Sequence, residues 1–272
     1  MSLLQDFSPF FTAPWQHRTV LRQFVRREVL GRYRGSLLGM AWAFITPLLM
    51  LAVYTFVFSG IFKARWPGAE TAGGVAFSLR LFAGLLVFNL FSEVVGRAPA
   101  LVLEQPNLVK KVVFPLELLP FVTLGVALFH FLLGMSILLV GTAVLDQGMT
   151  LRLALLPVVL LPLLPLLLGL SWLLSALGVY VRDVAPVVTF AVGFLMFLSP
   201  VFYSLQSLSQ SWQFWMLFNP LTSIIENVRV VLFLETDLNW ASWGWTLLAS
   251  VVLALVGARV FSVLRRGFAD VV

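Results

Sequence analysis

Few side chains in this sequence could carry out bond-making chemistry, and those that could are far apart. There is no cysteine, which removes thiolate nucleophiles, disulfides and cysteine-ligated metals. The two histidines, His17 and His130, are distant in the chain, and neither belongs to a cluster of carboxylates that would define a metal centre. Glu93 and Glu117 fall near the borders of apolar stretches, where a lone carboxylate is more often a hydrated end residue than a proton carrier. A phosphate-cradling GxxxxGK followed by Ser or Thr is absent, because none of Lys63, Lys110 and Lys111 precedes a hydroxyl residue. The chain is therefore expected to be non-catalytic. What remains is a set of arginines with suggestive neighbours. Arg18, Arg22 and Arg26 recur at four-residue spacing, Arg32 and Arg34 flank Tyr33, Arg182 adjoins Asp183, and Glu226 stands three residues before Arg229. A guanidinium offers phosphate several rigid donors, and residues three apart can share a helix face.

The elements that position these residues must suit a bilayer. Across 272 residues, 60% hydrophobic side chains, 11% charged residues and a mean hydropathy of +0.99 do not fit a water-exposed surface. A spanning helix needs about 20 mainly apolar residues, so six use roughly 120 and leave no room for a further soluble catalytic domain. The net charge of +6 raises nucleic-acid binding as a first reading. Its basic residues are instead divided among short segments between apolar stretches, so topology explains them better and no nucleic-acid partner is expected. The amino-terminal region lacks the short apolar core and processing pattern of a secretory signal and is read as retained in the cytoplasm.

The predicted organisation is an all-α polytopic membrane fold in one domain. Residues 15–32 form an amphipathic interfacial helix, with Leu21, Phe24, Val25 and Val29 opposite the arginines. Five spans occupy 37–200: about Leu37 to Ile61 with Pro47 as a kink, Leu79 to Val95, Pro115 to Val144, Leu153 to Tyr180, and Val184 to Pro200. Pro157, Pro162 and Pro165 predict an irregular start to the fourth. Residues 242–264 form the sixth span and 265–272 a cytoplasmic tail. With the amino end inside, thirteen basic residues fall on the cytoplasmic side and five outside, which supports both termini inside and an even number of spans.

Residues 201–241 are too long for a tight connection and mix aromatic with polar side chains. They read as an external region of two short re-entrant or interfacial helices broken around Asn219 and Pro220. Two roles fit Tyr203, Trp212, Trp215 and Phe218: faces along a conduit, or an interfacial aromatic belt. Glu226 and Arg229 either line an aqueous mouth or satisfy charges at the membrane surface. Arg182 and Asp183 are expected to anchor the turn between the fourth and fifth spans.

Four segments, taken in order, resemble one family. RREVLGRYRGSLLGMAW (Arg26 to Trp42), NLVKKVVFPLELLP (Asn107 to Pro120), YVRD (Tyr180 to Asp183) and NPLTSIIENVR (Asn219 to Arg229) look like the landmarks of a bacterial ABC-type permease that exports lipid-linked O-antigen or a related polysaccharide. That resemblance implies a homodimer of six-span subunits in the inner membrane, driven by two copies of an ATPase subunit. ATP and Mg would bind the ATPase and no cofactor this chain, and the substrate would be an undecaprenyl-pyrophosphate-linked glycan. It also implies an entrance-side signature of Arg32, Tyr33, Arg34, Ser36, Gly39 and Trp42. Here arginines could meet a lipid pyrophosphate, or alternatively neutralise bilayer phosphates while Gly39 permits helix packing. Arg97, Glu104, Asn107, Lys110 and Lys111 would form a coupling segment receiving motion from the ATPase, against the reading of a basic loop selected by topology. Related permeases export teichoic acid, capsular polysaccharide, small lipids or drugs, and these stay open alongside a six-span channel.

Overall fold

The computed structural model describes residues 10, 12–62, 66, 73–110, 114–145, 151–233 and 237–271. Among these, five helices are long and apolar enough to cross a membrane, and a sixth crossing is added if one bent helix pair counts as a span. Helix α1 (Arg18–Tyr33) precedes the first of them and is the expected amphipathic element, burying Val29 while Arg18, Arg22 and Arg26 stay exposed. Gly35 and Gly39, at φ +86° and +50°, turn the chain from α1 into the first span. Within this chain a Cβ at Gly39 would meet nothing within 4 Å among the described residues, and the positive φ is what the glycine supplies there.

The first span joins α2 (Trp42–Tyr54) to a wider π-helical turn, Thr55–Ile61. Helix α3 (Gly73–Arg97) is the second span, continued by a tight turn at Ala98–Ala100, and is followed by the short α4 (Pro106–Lys110). Helix α5 (Leu119–Leu145) is the third. The fourth opens irregularly, as its prolines predict: a tight turn at Leu151–Leu155, then α6 (Leu156–Leu160), a break at Pro162, and α7 (Leu163–Tyr180).

The predicted fifth span appears as α8 (Val184–Leu198), only 15 residues long. At 1.5 Å per residue this is roughly 22 Å, short of a ~30 Å hydrocarbon core. Helices α9 (Gln210–Met216) and α10 (Pro220–Phe233) follow, bent by 105° at the predicted Asn219–Pro220 break. Asn219 makes that corner. Its Nδ2 donates to the Leu198 carbonyl at 3.2 Å and Ser199 Oγ at 2.9 Å, closing α8, while its Oδ1 accepts from Leu221 N at 3.0 Å to start α10. The last span is α11 (Trp240–Leu264), and α12 (Phe268–Val271) ends the described chain.

The core is centred on α3, whose apolar window is 83% buried between α5, α7 and α10. The first span is the opposite case, with no residue of its apolar window buried. Helices α7 and α11 run parallel and share the most extensive helix interface of the fold. Beyond one end of it Trp243 Nε1 donates to Val158 O of α6 (3.0 Å), and at the other Tyr180 Oη donates to Leu264 O (2.8 Å).

A second apolar cluster gathers both described chain ends at what we term the basal end. Phe10 meets Trp172 edge-on at 5.2 Å and Phe261 at 6.0 Å, and Phe268 meets Phe261 at 5.5 Å. Arg265 pairs with the buried Glu117 at 2.6 Å, and Trp172 Nε1 donates to the Glu117 carbonyl at 3.2 Å. Glu117 is thus a paired, buried anion and not a hydrated end residue.

Helix α1 is docked on α5 where Gly125 leaves room for Val25. A Cβ there would lie 2.8 Å from Val25 Cγ2. Gly125→Leu is expected to lift α1 from the bundle and leave the remaining spans packed. Hydrogen–deuterium exchange over Arg18–Tyr33 should then rise at least several-fold with exchange in α7 and α11 unchanged.

Candidate functional site

The charged end of α1 meets α3 and α5 at the mouth of a cavity of about 420 Å³. Its walls are apolar: Met50 and Tyr54 from α2, Leu86 and Leu90 from α3, Phe131 from α5. Its polar rim is Arg32, Tyr33, Asn89, Glu93 and His130, with Trp42 beside them. The helix repeat explains the lining. Phe82, Leu86, Asn89 and Glu93 recur at three- and four-residue steps on one face of α3, as Ala127, His130 and Phe131 do on α5.

Arg32 Nη1 lies 2.8 Å from Glu93 Oε1 and 2.9 Å from His130 Nδ1. The Nδ1 contact to Glu93 Oε2 is longer, 3.4 Å. The shorter contact makes Nδ1 an acceptor from the guanidinium, so Nε2 carries the proton and donates to Tyr33 Oη at 3.0 Å. Burial pushes the Tyr33 phenol above its ordinary pKa, with the Arg32 charge pulling back in part, so the hydroxyl stays neutral at physiological pH. The Glu93 carboxylate is 19% exposed and poorly satisfied: its Oε1 is close to the guanidinium yet forms no directed hydrogen bond. The arrangement can hold an anion at the border of an apolar chamber.

Of the residues that the resemblance implies for an entrance, Arg32, Tyr33 and Trp42 line this cavity, and the fold brings to them Glu93 and His130, which the sequence reading sets aside. The available signal was register: Glu93 lies on the apolar-cavity face of α3 together with Asn89. Arg34 and Ser36 are exposed on the turn outside the cavity, and Arg34 lines a shallow neighbouring depression with Arg27 and Met40.

The segment read as a coupling surface lies at the basal end. Arg97 pairs with Glu28 of α1 at 2.5 Å, and Glu104 lines a small pocket with both. Asn107 and Lys110 are exposed on α4, which packs against α12; Lys111 lies outside the described residues. Arg182 and Asp183 are exposed, and neither forms an ion pair among the described residues. Their turn is closed by backbone bonds instead, including Val187 N to Asp183 O at 3.2 Å.

At the opposite end, Trp212, Trp215 and Phe218 are exposed on and beside α9, with Trp215 and Phe218 ring centroids 6.0 Å apart. Tyr203 is half-buried and donates to Phe197 O at 3.1 Å; burial pushes its phenol pKa up.

Arg229 is only 1% exposed and faces the interior of its own chain. Its Nε donates to Arg80 O (3.0 Å), Nη1 to Pro200 O (2.6 Å) and Glu226 Oε1 (3.0 Å), and Nη2 to Val201 O (2.8 Å). The guanidinium lies 4.5 Å from the centre of the Trp66 ring. The Glu226–Arg229 pair predicted from their spacing is present, and the arginine also ties together carbonyls that the sequence alone could not bring to it.

Residues 19–233 match a family described as ABC-2 type transporter. The chain is similar to an O-antigen export system permease protein, RfbA, of Myxococcus xanthus, with 32% identity over 259 residues, 94% of this chain and 96% of that protein. Two RfbA proteins of Klebsiella pneumoniae are 24% identical over 248 residues, 90% of this chain and 92% of each.

Proposed function

Since the chain belongs to the ABC-2 type transporter family and is a membrane permease component of an ABC-type exporter, we propose that it moves an undecaprenyl-pyrophosphate-linked O-antigen or related polysaccharide across the bacterial inner membrane. The supporting observation is the similarity to O-antigen export permeases over nearly the full length of both chains. In this reading the whole chain is one transport domain. Two copies pair, and two ATPase subunits bind ATP and Mg and dock at the basal end against Arg97, Glu104, Asn107, Lys110 and Lys111. The basal end faces the cytoplasm, where the arginines of α1, Arg97, Lys110, Arg182 and Arg265 satisfy the preference for positive charge inside.

Arg32 and Tyr33 stand where the carrier's pyrophosphate enters, with Arg34, Ser36 and Trp42 at the approach. The glycan passes between the two copies toward the exposed rings of Tyr203, Trp212, Trp215 and Phe218, beside Glu226 and the Arg229 node. Arg182 and Asp183 mark the basal turn.

The test is co-purification with the ATPase, followed by ATP-dependent transfer of a defined lipid-linked glycan in vesicles. Arg32→Lys keeps the charge but loses the planar fork, and is expected to cut transport about ten-fold at equal expression. Failure to form the complex or to transport any such glycan would count against the assignment, and full transport by the lysine variant against bidentate recognition at Arg32.

A further inference from the structure

The cavity beside Arg32 has the form of an amphiphile seat, and its guanidinium is only partly engaged. Every contact described for Arg32 uses Nη1: Glu93 on one side and His130 on the other. Among the described residues Nε and Nη2 make no hydrogen bond or ion pair, and the Arg32 side chain is 44% exposed. A carboxylate that grips an arginine well takes two parallel donors. Glu93 takes one, its Oε1 lying 2.8 Å from Nη1 and 3.3 Å from His130 Nδ1. This is a single-donor ion pair, and its arginine still offers its other nitrogens to an incoming anion.

Apolar surface follows directly behind the polar rim. Met50, Phe82, Leu85, Leu86, Leu90 and Phe131 line about 420 Å³, within the roughly 300–1,000 Å³ range of small-molecule sites. Free phosphate would gain nothing from such walls, whereas a phosphate carried on a hydrocarbon chain would.

We propose that this cavity between α2, α3 and α5 seats a phosphate-headed prenyl or acyl chain, with Glu93 as the resident counter-ion that the ligand's phosphate displaces from Arg32. The proposal rests on the entrance reading of Arg32 and Tyr33 and adds Glu93 and His130 as positioning residues and the cavity as the seat of the chain. A chain as long as undecaprenyl exceeds the volume, so only its head-proximal units occupy it.

Displacing Glu93 would leave a half-buried anion next to the phosphate unless it finds a new donor, and His130 is placed to be that donor. Once Arg32 leaves Nδ1, the ring proton shifts by exchange with water from Nε2 to Nδ1, which turns its 3.4 Å contact with Glu93 Oε2 into a hydrogen bond. Tyr33, 3.0 Å from Nε2, then donates to the vacated nitrogen. The imidazole thus serves both states by changing tautomer, with no change of net charge.

The experiment is equilibrium binding of tritiated farnesyl pyrophosphate, dioleoyl phosphatidic acid and inorganic pyrophosphate to the full chain in detergent, with monodispersity checked by size exclusion. At least one lipid is expected to bind more than ten-fold tighter than inorganic pyrophosphate, and the two lipid arms show which chain the walls prefer. Glu93→Gln, near-isosteric and uncharged, should tighten lipid binding about ten-fold. His130→Ala should weaken it several-fold with Glu93 present and leave it unchanged in the Glu93→Gln background. Leu86→Trp, which fills the chamber, should abolish the preference for lipid over inorganic pyrophosphate.

Lipid binding that Glu93→Gln leaves unchanged or weakens would overturn the counter-ion role while leaving the entrance reading intact. Equal affinity for lipid and inorganic pyrophosphate would overturn the seat. Lipid binding unaffected by Arg32→Ala would overturn both the seat and the entrance reading.

Discussion

Arg229→Leu is expected to destabilise the protein by about 3–5 kcal/mol, the cost of breaking a buried charged node by removing one partner. Leucine is apolar and much shorter, so the space the guanidinium fills is also vacated. The carbonyls of Pro200 and Val201 would lose this donor inside the fold, the Arg80 carbonyl would lose a second donor beside its helical one, and Glu226 would lose one cationic neighbour. Each unsatisfied buried acceptor costs on the order of 1–3 kcal/mol. Those carbonyls belong to α3 and to the loop after α8, so the loss falls where α10 is held to the core. A thermal scan followed by size-exclusion fluorescence should show the midpoint falling by about 10 °C or more. Arg229→Lys should recover only part of this, because an ammonium cannot reach acceptors spread around a planar fork. A midpoint within 2 °C or so of wild type for the leucine variant would show that the node carries little of the stability.

Gly257→Val should be comparably severe for a different reason. Helices α7 and α11 meet backbone to backbone: a Cβ on Gly257 would collide with the Gly169 carbonyl, and one on Gly169 would lie 2.6 Å from Ala254 N. Neither obstacle is a flexible side chain, so the helices must separate along their whole interface, breaking the Trp243–Val158 and Tyr180–Leu264 bonds at and beyond its ends. Overpacking costs about 1–3 kcal/mol where neighbours can shift, and more where they cannot. Small residues at close crossings are the main means by which spanning helices pack in lipid. Gly244, on the same helix with nothing within 4 Å of its Cβ position, supplies the control. Gly244→Ala is expected to be neutral or slightly stabilising. Equal midpoints for Gly257→Val and Gly244→Ala would contradict the close seam.

What the sequence reveals of this fold is mostly what the solvent dictates. Apolar runs located the spans, the prolines at 157 and 162 located the broken opening of the fourth, and Asn219–Pro220 located the corner between α9 and α10. Local spacing also identified the Glu226–Arg229 pair, because three residues apart on a helix is already a contact. Distant partners were beyond that logic. Arg229 is satisfied by Arg80, 149 residues earlier, and Arg32 meets His130 across 98 residues. Glu93 read alone is a carboxylate near a span end, and only helix packing turns it into the counter-ion of Arg32. The fifth apolar run is itself short, and α8 stops at Leu198, before the polar Ser199 and the helix-breaking Pro200.

The distance between Arg80 and Arg229 also bears on how the protein is made. Span two enters the bilayer carrying Arg80 in its first third, where the charge costs less than the about 2.5–3.5 kcal/mol of a helix centre. The ring that covers this guanidinium, Phe233, and the arginine that bonds its carbonyl both belong to α10. At ribosomal rates of about 5–20 residues per second, α10 is synthesised on the order of ten seconds later. During that interval the helix destined for the centre of the molecule lacks its final partners and depends on lipid, on α5 and on the insertion machinery to stay in place. Nascent chains arrested before Phe233 should therefore be the forms most readily extracted or degraded, which makes completion of α10 the commitment point of biogenesis.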